Sequence, residues 1–296
     1  MEVVVLGAGS LGSLVGGLLA REHRVTLVGR EPHVSAVERE GLQVVGEVER
    51  EENPRATSDG TGLSGDLAVV TVKAFDTRGA ARTLATGEFE AVLSLQNGMG
   101  NEERLADALD STILAGTASY GAVLREPGLV ECTGVGEVVI GPPDGGGSSV
   151  AEGVGEAFRE AGVDCTVSER MPERIWEKLA VNAAINPVTA LSGAENGAVV
   201  DGPLAPVSRA AARETARVAR DSGVDLPEER ALGALSRVAR DTARNTSSMA
   251  QDVEKGQRTE IDAINGYVVD RANGPVPVNE TLAALVRGWE RQKGVR

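Results

Sequence analysis

An apolar run leading without a break into Gly7-Ala8-Gly9-Ser10-Leu11-Gly12 constrains this chain's fold more than any other stretch of it. The opening MEVVVL has the β-branched character of a strand, and the hexapeptide is a GxGxxG at the point where a strand turns into a helix. Its first glycine permits the tight turn, its second lets a phosphate approach the backbone, and its third lets helix and strand pack closely. The amides that open the helix then face outward at the positive end of its dipole, which suits a pyrophosphate. A chain that begins this way is committed to a βαβ unit. The first expectation is therefore a dinucleotide-binding domain with Gly7, Ala8, Gly9, Ser10, Leu11 and Gly12 on the cofactor.

The pattern downstream agrees. Short Val/Leu runs at 2–6, 25–28, 66–72, 91–95, 113–117 and 138–140 alternate with helical or loop segments, as in a parallel sheet covered on both faces. The stretch GPPDGGGSSV, residues 141–150, continues neither pattern and reads as a linker. Beyond it, apolar residues recur at helical intervals over 151–161, 172–191, 204–222, 228–244, 248–255, 260–272 and 278–292. The expected architecture is an α/β Rossmann-type dinucleotide-binding domain over 1–147 followed by a mainly α-helical C-terminal domain over 148–296. A ligand cleft is expected between the two.

Composition narrows the class. At 296 residues two domains are the better expectation, and with aromatics at 2% the core must be built from Val, Leu, Ile and Ala. The formal net charge of -14, from 44 acidic and 30 basic side chains, argues against nucleic acid or an anionic membrane as partner. No apolar run is long enough to span a bilayer and the start has no basic n-region, so a cytoplasmic protein is expected. Cys132 and Cys165 neighbour no second Cys or His at ligand spacing and read as small buried hydrophobes, with no metal. Lysine occurs only as Lys73, Lys178, Lys255 and Lys293, the other basic residues being arginine. An acidic, lysine-poor surface is what halophilic adaptation produces and also what GC-rich coding produces. Both readings stay open.

Several polar residues stand where ligand chemistry would need them. The second strand ends at Arg30, where an NAD-preferring domain would place an acid for the ribose 2'-hydroxyl; an arginine can pair with a 2'-phosphate and favours NADP. Lys73 follows the third strand and Asn97 the fourth, at the carboxyl ends where such sheets present ligands. In the helical half, EKLAVNAAINPVTA places Lys178, Asn182 and Asn186 at steps of four. Each step turns about 400°, so the three form one slowly drifting stripe on a helix whose other faces are apolar. An ammonium and two amides in that setting need partners, and an anionic, oxygen-rich ligand is the simplest.

With those residues on view, MPERIWEKLAVNAAINPVTAL resembles the W-x-K-x-x-x-N-x-x-x-N-P helix of the ketopantoate reductases (2-dehydropantoate 2-reductases). The resemblance extends over nearly the whole chain through GAGSLG, TVKAFD, LQNGMG and NTSSMAQDVEKGQRTEIDAINGYVV, in order and at suitable spacing. It implies that residues 7–12 hold the NADP pyrophosphate, Arg30 its 2'-phosphate, and Lys73 and Asn97 the cofactor, with Ala122 offering backbone to the nicotinamide end. It further implies Lys178 as proton donor and Asn97, Asn182, Asn186, Asn196, Asn245, Thr246, Ser247 and Ser248 as substrate contacts. Glu260 stands at the junction of cofactor and substrate. The implied partner is a small keto acid, and assembly as a homodimer is compatible with the resemblance.

The chemistry fits those roles. Hydride transfer to a keto carbon builds negative charge on the oxygen, and a desolvated lysine can meet that charge and give up a proton. Hydroxyls and amides at residues 246–248, opening a helix, suit a carboxylate. Ser248 also starts an S-x-x-Q capping box with Gln251, and Glu260 reads as an acidic first-turn residue as well. Lys255 and Lys293 are expected to be solvated. The expected activity is NADPH-dependent reduction of 2-dehydropantoate to (R)-pantoate, in pantothenate and coenzyme A biosynthesis. A related NAD(P)-dependent 2-hydroxy acid dehydrogenase and a non-catalytic NADP-binding regulator are the alternatives. Lys178 together with Glu260 favours an enzyme, because binding alone needs no proton donor.

Overall fold

Alternation of β-branched runs with amphipathic segments gives the first half its layers, seen in a computed structural model that describes residues 1–296. In chain order come β1 (Glu2–Leu6), α1 (Ser10–Ala20), β2 (Arg24–Val28), α2 (His33–Glu40), β3 (Leu42–Gly46), β4 (Arg50–Glu52) and β5 (Arg55–Thr57). Next are β6 (Gly65–Val70), α3 (Thr77–Leu84), β7 (Phe89–Ser94), α4 (Asn101–Ala106) and β8 (Thr112–Ala118). Then follow β9 (Gly121–Glu126), β10 (Leu129–Gly134), β11 (Val138–Gly141), α5 (Ser149–Glu160) and β12 (Cys165–Val167). The main sheet has eight strands in the order β12-β11-β8-β7-β6-β1-β2-β5. Its parallel strands from β5 to β8 make it a Rossmann-like sheet.

The run at 138–140 departs from the expected parallel sheet, because β11 pairs antiparallel with β8. The chain leaves β8, forms the β9–β10 hairpin in a second, four-stranded sheet ordered β4-β3-β10-β9, and returns without a helical crossover. A parallel return would need that crossover. α1 explains why the second sheet exists. Its residues Gly12 to Leu19 are all buried, with Leu14, Val15, Leu18 and Leu19 in one core with Val3, Val5 and Leu27 of the main sheet and Val44, Val130 and Cys132 of the small one. A helix apolar all round needs cover on two sides. Each fully buried leucine here contributes roughly 2 kcal/mol. Glycines bring the layers close: a Cβ at Gly16 would stand 2.3 Å from Leu27, and one at Gly17 3.0 Å from Leu42.

His33 locks three of these pieces together. Gly128 N–H donates to its Nδ1 at 3.0 Å, so Nε2 carries the proton of the neutral ring and donates to Ser13 Oγ at 2.9 Å. Burial pushes its pKa below the usual value, consistent with a neutral ring.

The second half comprises α6 (Met171–Ser192), α7 (Ala205–Asp221), α8 (Glu228–Asp241), α9 (Ser248–Glu254), α10 (Tyr267–Arg271) and α11 (Pro277–Lys293). The helix expected over 260–272 arrives in two pieces, a π-helical turn at Asp262–Gly266 and then α10. α6 is the central helix of this half. Trp176, Leu179, Ala180, Ala183 and Ala190 pack into one core, and Val181, Ala184, Ile185 and Val188 into another.

The chain divides into two compact units, Met1–Gln96 with Asn101–Met171, and Asn97–Gly100 with Pro172–Arg296. The expected division lay at 147/148, and the compact units divide after Met171. The 141–150 stretch joins β11 to α5, whose Val154 and Phe158 enter the first core, and β12 pairs with β11. Cys132 and Cys165 are buried and free, as expected, and burial pushes the Cys165 thiol up to about 11. No helix is long and apolar enough to cross a membrane.

Candidate active site

In the first unit the glycine-rich turn has the shape a dinucleotide requires. Gly7 has φ +114°, and a Cβ there would lie 2.6 Å from Val72 N. A Cβ at Gly12 would lie 2.2 Å from Gly7 O and 2.5 Å from Thr71 Oγ1, whose hydroxyl donates to Gly7 O at 2.9 Å. Gly9, the N-cap of α1, is different: nothing lies closer than 4.0 Å to its would-be Cβ, so the helix N-terminus is open where a phosphate would approach. Gly7 and Ala8 N–H both bond Val28 O at 2.9 Å, which pins the turn to the end of β2. The cradle therefore fits a dinucleotide pyrophosphate on its own geometry.

The other expected cofactor residues surround this turn in different ways. Ser10 Oγ accepts the Leu124 N–H of β9 at 3.0 Å, so its hydroxyl also serves the small sheet. Leu11 is half-buried against the first core. Arg30 lies two residues past β2, with its side chain 92% exposed and Nη2 3.7 Å from Asp76 Oδ2. So exposed a pair is worth about 0–1 kcal/mol, which leaves the guanidinium available to an anion. Lys73, half-buried, caps the short 3-10 turn Ala74–Asp76 with an extended backbone. Ala122 lies in β9, half-buried and paired with Cys132.

Asn97 goes with the second unit, not the first. Its loop Asn97–Gly100 is held by Met99 N–H, which donates to Ala263 O at 2.9 Å. Gly98, at φ +80°, lies so close that a Cβ would stand 2.5 Å from Ala263 Cβ. Ala263 belongs to the π-helical turn just after Glu260, so the loop and the glutamate's segment are built as one piece.

On α6 the stripe is as the spacing predicts. Lys178 and Asn182 are half-buried and Asn186 is 6% exposed, while Leu179, Ala180, Ala183, Ala184 and Ile185 are buried. Glu177 is turned away from the stripe by ion pairs with Arg230 and Arg237 of α8. Asn196 is buried; its N–H donates to Asn245 O at 3.0 Å and its Nδ2 to Thr242 Oγ1 at 3.0 Å, while its Oδ1 has no partner. The structure thus brings Asn196 and Asn245 together. Glu260 is 5% exposed, so its carboxyl is not a solvated first-turn acid.

The helix cap differs from expectation by one residue. Ser247, not Ser248, is the N-cap of α9, and its Oγ accepts from Ala250 N at 3.1 Å. The same hydroxyl lies 2.7 Å from Thr189 Oγ1 of α6, while Ser248 is exposed in the first turn. Gln251 reaches back to Thr246 O at 3.0 Å rather than closing a box with Ser248. A cap must have extended backbone, which Ser247 has at φ -62° and ψ 155°.

Three supporting elements escaped the sequence reading: Thr189, which docks α6 on residue 247; Glu290; and Asn265 with Asn279. Glu290 is fully buried and accepts Thr259 N–H at 2.8 Å and Thr259 Oγ1–H at 2.7 Å, which fixes the residue before Glu260. Burial alone would raise the neighbouring Asp262 carboxyl, but hydrogen bonds from Arg296 and Arg287 hold it below the usual range.

Comparison with known proteins covers both halves of the chain. Residues 3–145 match the family model described as "Ketopantoate reductase PanE/ApbA", and residues 170–290 match "Ketopantoate reductase PanE/ApbA C terminal". The 2-dehydropantoate 2-reductase of Halobacterium salinarum is 43% identical over 302 aligned positions, covering 98% of this chain and 99% of that protein. The crystal structure of a PanE/ApbA family ketopantoate reductase from Ralstonia eutropha superposes with a TM-score of 0.90 at 35% identity, covering 99% of this chain and 100% of that one. D-mandelate dehydrogenase in a ternary structure with NADH and anilino(oxo)acetate reaches a TM-score of 0.92 at 24% identity, which shows a common fold alone. With both halves matched and relatives aligned from end to end, the chain belongs to the ketopantoate reductase family.

Proposed function

We propose that this protein reduces 2-dehydropantoate to (R)-pantoate with NADPH, within the cytoplasm, and so supplies pantothenate and coenzyme A synthesis. One observation carries the reading: an ammonium and two amides, Lys178, Asn182 and Asn186, share one face of a helix whose remaining faces are buried. A set of one proton donor and neutral hydrogen-bonding groups suits a small keto acid bearing hydroxyls.

Residues 7–12 hold the pyrophosphate at the N-terminus of α1, Arg30 takes the 2'-phosphate, and Lys73, Asn97, Ala122 and Glu260 serve the rest of the cofactor. When bound, the nicotinamide supplies the hydride for the keto carbon. Lys178 meets the charge that develops on the keto oxygen and transfers its proton there, giving the hydroxyl; solvent then reprotonates the amine. Asn182, Asn186 and Asn196 orient the substrate's oxygens through neutral amides, which add no charge beside the proton donor. Asn245, Thr246 and Ser248 offer hydroxyl, amide and backbone donors for the carboxylate. Ser247, whose hydroxyl already caps α9, contributes by holding that turn in place.

The deciding experiment follows oxidation of NADPH and of NADH by the purified protein with 2-dehydropantoate, for wild type and Arg30→Ala. Expected are turnover with wild type, a preference for NADPH, and loss of most of that preference in the variant. No oxidation of either cofactor would refute the activity, and an unchanged preference would refute the role of Arg30.

A further inference from the structure

Pro187 lies inside α6 and brings no N–H, so the carbonyl four residues earlier, on Ala183, loses its helical donor. That carbonyl is nevertheless paired: Asn265 Nδ2 donates to Ala183 O at 3.0 Å. The other hydrogen of the same Nδ2 goes to Asn279 Oδ1 at 2.9 Å. Asn279 is oriented in turn, its Nδ2 donating to Ala211 O at 3.2 Å and to Glu214 Oε2 at 2.8 Å. Glu214 also accepts the N–H groups of Val278 and Asn279 at 3.1 and 2.9 Å, at the start of α11. Asn265 and Asn279 are both completely buried.

The orientation of Asn265 is forced. Flipping its amide would set Oδ1 against two acceptors, Ala183 O and Asn279 Oδ1. In the observed orientation Oδ1 is buried without a partner, a cost the fold carries while both N–H groups are used. Its backbone placement is equally particular. Asn265 falls within the π-helical turn Asp262–Gly266, where Gly266 N–H bonds Ile261 O at 2.9 Å across five residues. That turn also carries Ala263, which receives Met99 N–H from the Asn97–Gly100 loop, and it begins two residues after Glu260.

The unpaired step in α6 falls inside the polar stripe. Lys178 and Asn182 precede Ala183, and Asn186 follows it. A helix with proline at this step can bend there, and the group that takes the freed carbonyl holds the bend at one value. We infer that Asn265 is a positioning residue: its side-chain amide replaces the N–H that Pro187 lacks and sets the angle between the Lys178–Asn182 half of the stripe and Asn186. Through the π-helical turn it keeps that angle in register with the segment of Glu260. The inference rests on the reading above that the stripe binds substrate.

A mutant cycle tests it. Asn265→Leu keeps the branched heavy-atom skeleton and removes the donor, while Pro187→Ala returns an N–H to Ala183 O. Wild type, both single variants and the double variant are compared for kcat and KM with 2-dehydropantoate, for NADPH affinity in the absence of substrate, and for Tm. Asn265→Leu is expected to raise KM by about tenfold or more, with NADPH affinity within about twofold of wild type. Pro187→Ala added to it should bring KM back to within about threefold of wild type. Where Asn265→Leu folds only in the Pro187→Ala background, the double variant decides: a KM within about threefold of wild type supports the inference, and a KM outside that range overturns it. An unchanged KM in Asn265→Leu, or a double variant whose Tm recovers while KM does not, overturns the inference and leaves the activity standing. A wild type inert toward 2-dehydropantoate overturns both.

Discussion

Lys178 is the proposed proton donor, and its surroundings explain why it was conspicuous in the sequence. In a chain with so few lysines, one stands between Glu177, committed to arginines of α8, and the buried Leu179 and Ala180. Lys178→Ala is expected to lower kcat by about 10²- to 10⁴-fold, the range for loss of a general acid, with NADPH affinity unchanged by direct titration. A normal kcat would remove the proton-donor role. The stripe it heads was legible because helix geometry converts a spacing of four into a common face. Asn265 and Asn279 were not, although Pro187 announced an orphaned carbonyl at Ala183. The donor that satisfies it lies 82 residues away, and no periodicity reaches that far. Ser247 and Ser248 show a smaller limit: both can cap a helix, and the contact with Thr189 belongs to the one that does.

α1 is the element that fixes the cofactor cradle, and its sequence carries both functions at once. The glycines at 7 and 12 let it approach β1 and Thr71, while the leucines and valines behind them bury it between two sheets. Gly12→Ala would drive a methyl group to 2.2 Å from Gly7 O, so the turn must open. NADPH affinity measured by fluorescence should fall at least about tenfold, while an unchanged affinity would mean that the turn is not the pyrophosphate site. Six of the eight strands of the main sheet were readable as apolar runs; β5, which is Arg-Ala-Thr, and β12, which is Cys-Thr-Val, are three-residue edge strands and were not. Those of the small sheet were not: β4 is Arg-Glu-Glu, and β9 is half-exposed along much of its length, so neither repeats a burial pattern. Such strands exist because α1 needs cover on its second side, a demand of packing that local propensity does not contain. The same holds for the π-helical turn, which carries Asn265 and Ala263, both bonded to segments far away in sequence.

Taken whole, the molecule carries a net charge of -14, and carboxylates at this density repel one another wherever counterions do not screen them. A surface adapted to high salt predicts that Tm rises on the order of 5 °C between 0.1 M and 2 M KCl. A flat or falling melting curve would favour codon composition as the origin of the acidic surface. The division into two units shows what distinguishes the levels of information. Hydrophobic periodicity, the glycine-rich turn and the stripe on α6 are local patterns, and each follows from the geometry of one helix or strand, so the sequence by itself determined the α/β half, the helical half, the turn that opens α1 and the polar stripe on α6. Which unit owns α5 and β12, that β11 runs antiparallel, that Asn97 travels with the helical unit, and that Asn265 takes the Ala183 carbonyl freed by Pro187 were decided only by tertiary structure. Each of these depends on a hydrogen bond or packing contact between segments far apart in sequence, and such contacts are chosen by the competition of the whole chain for buried partners.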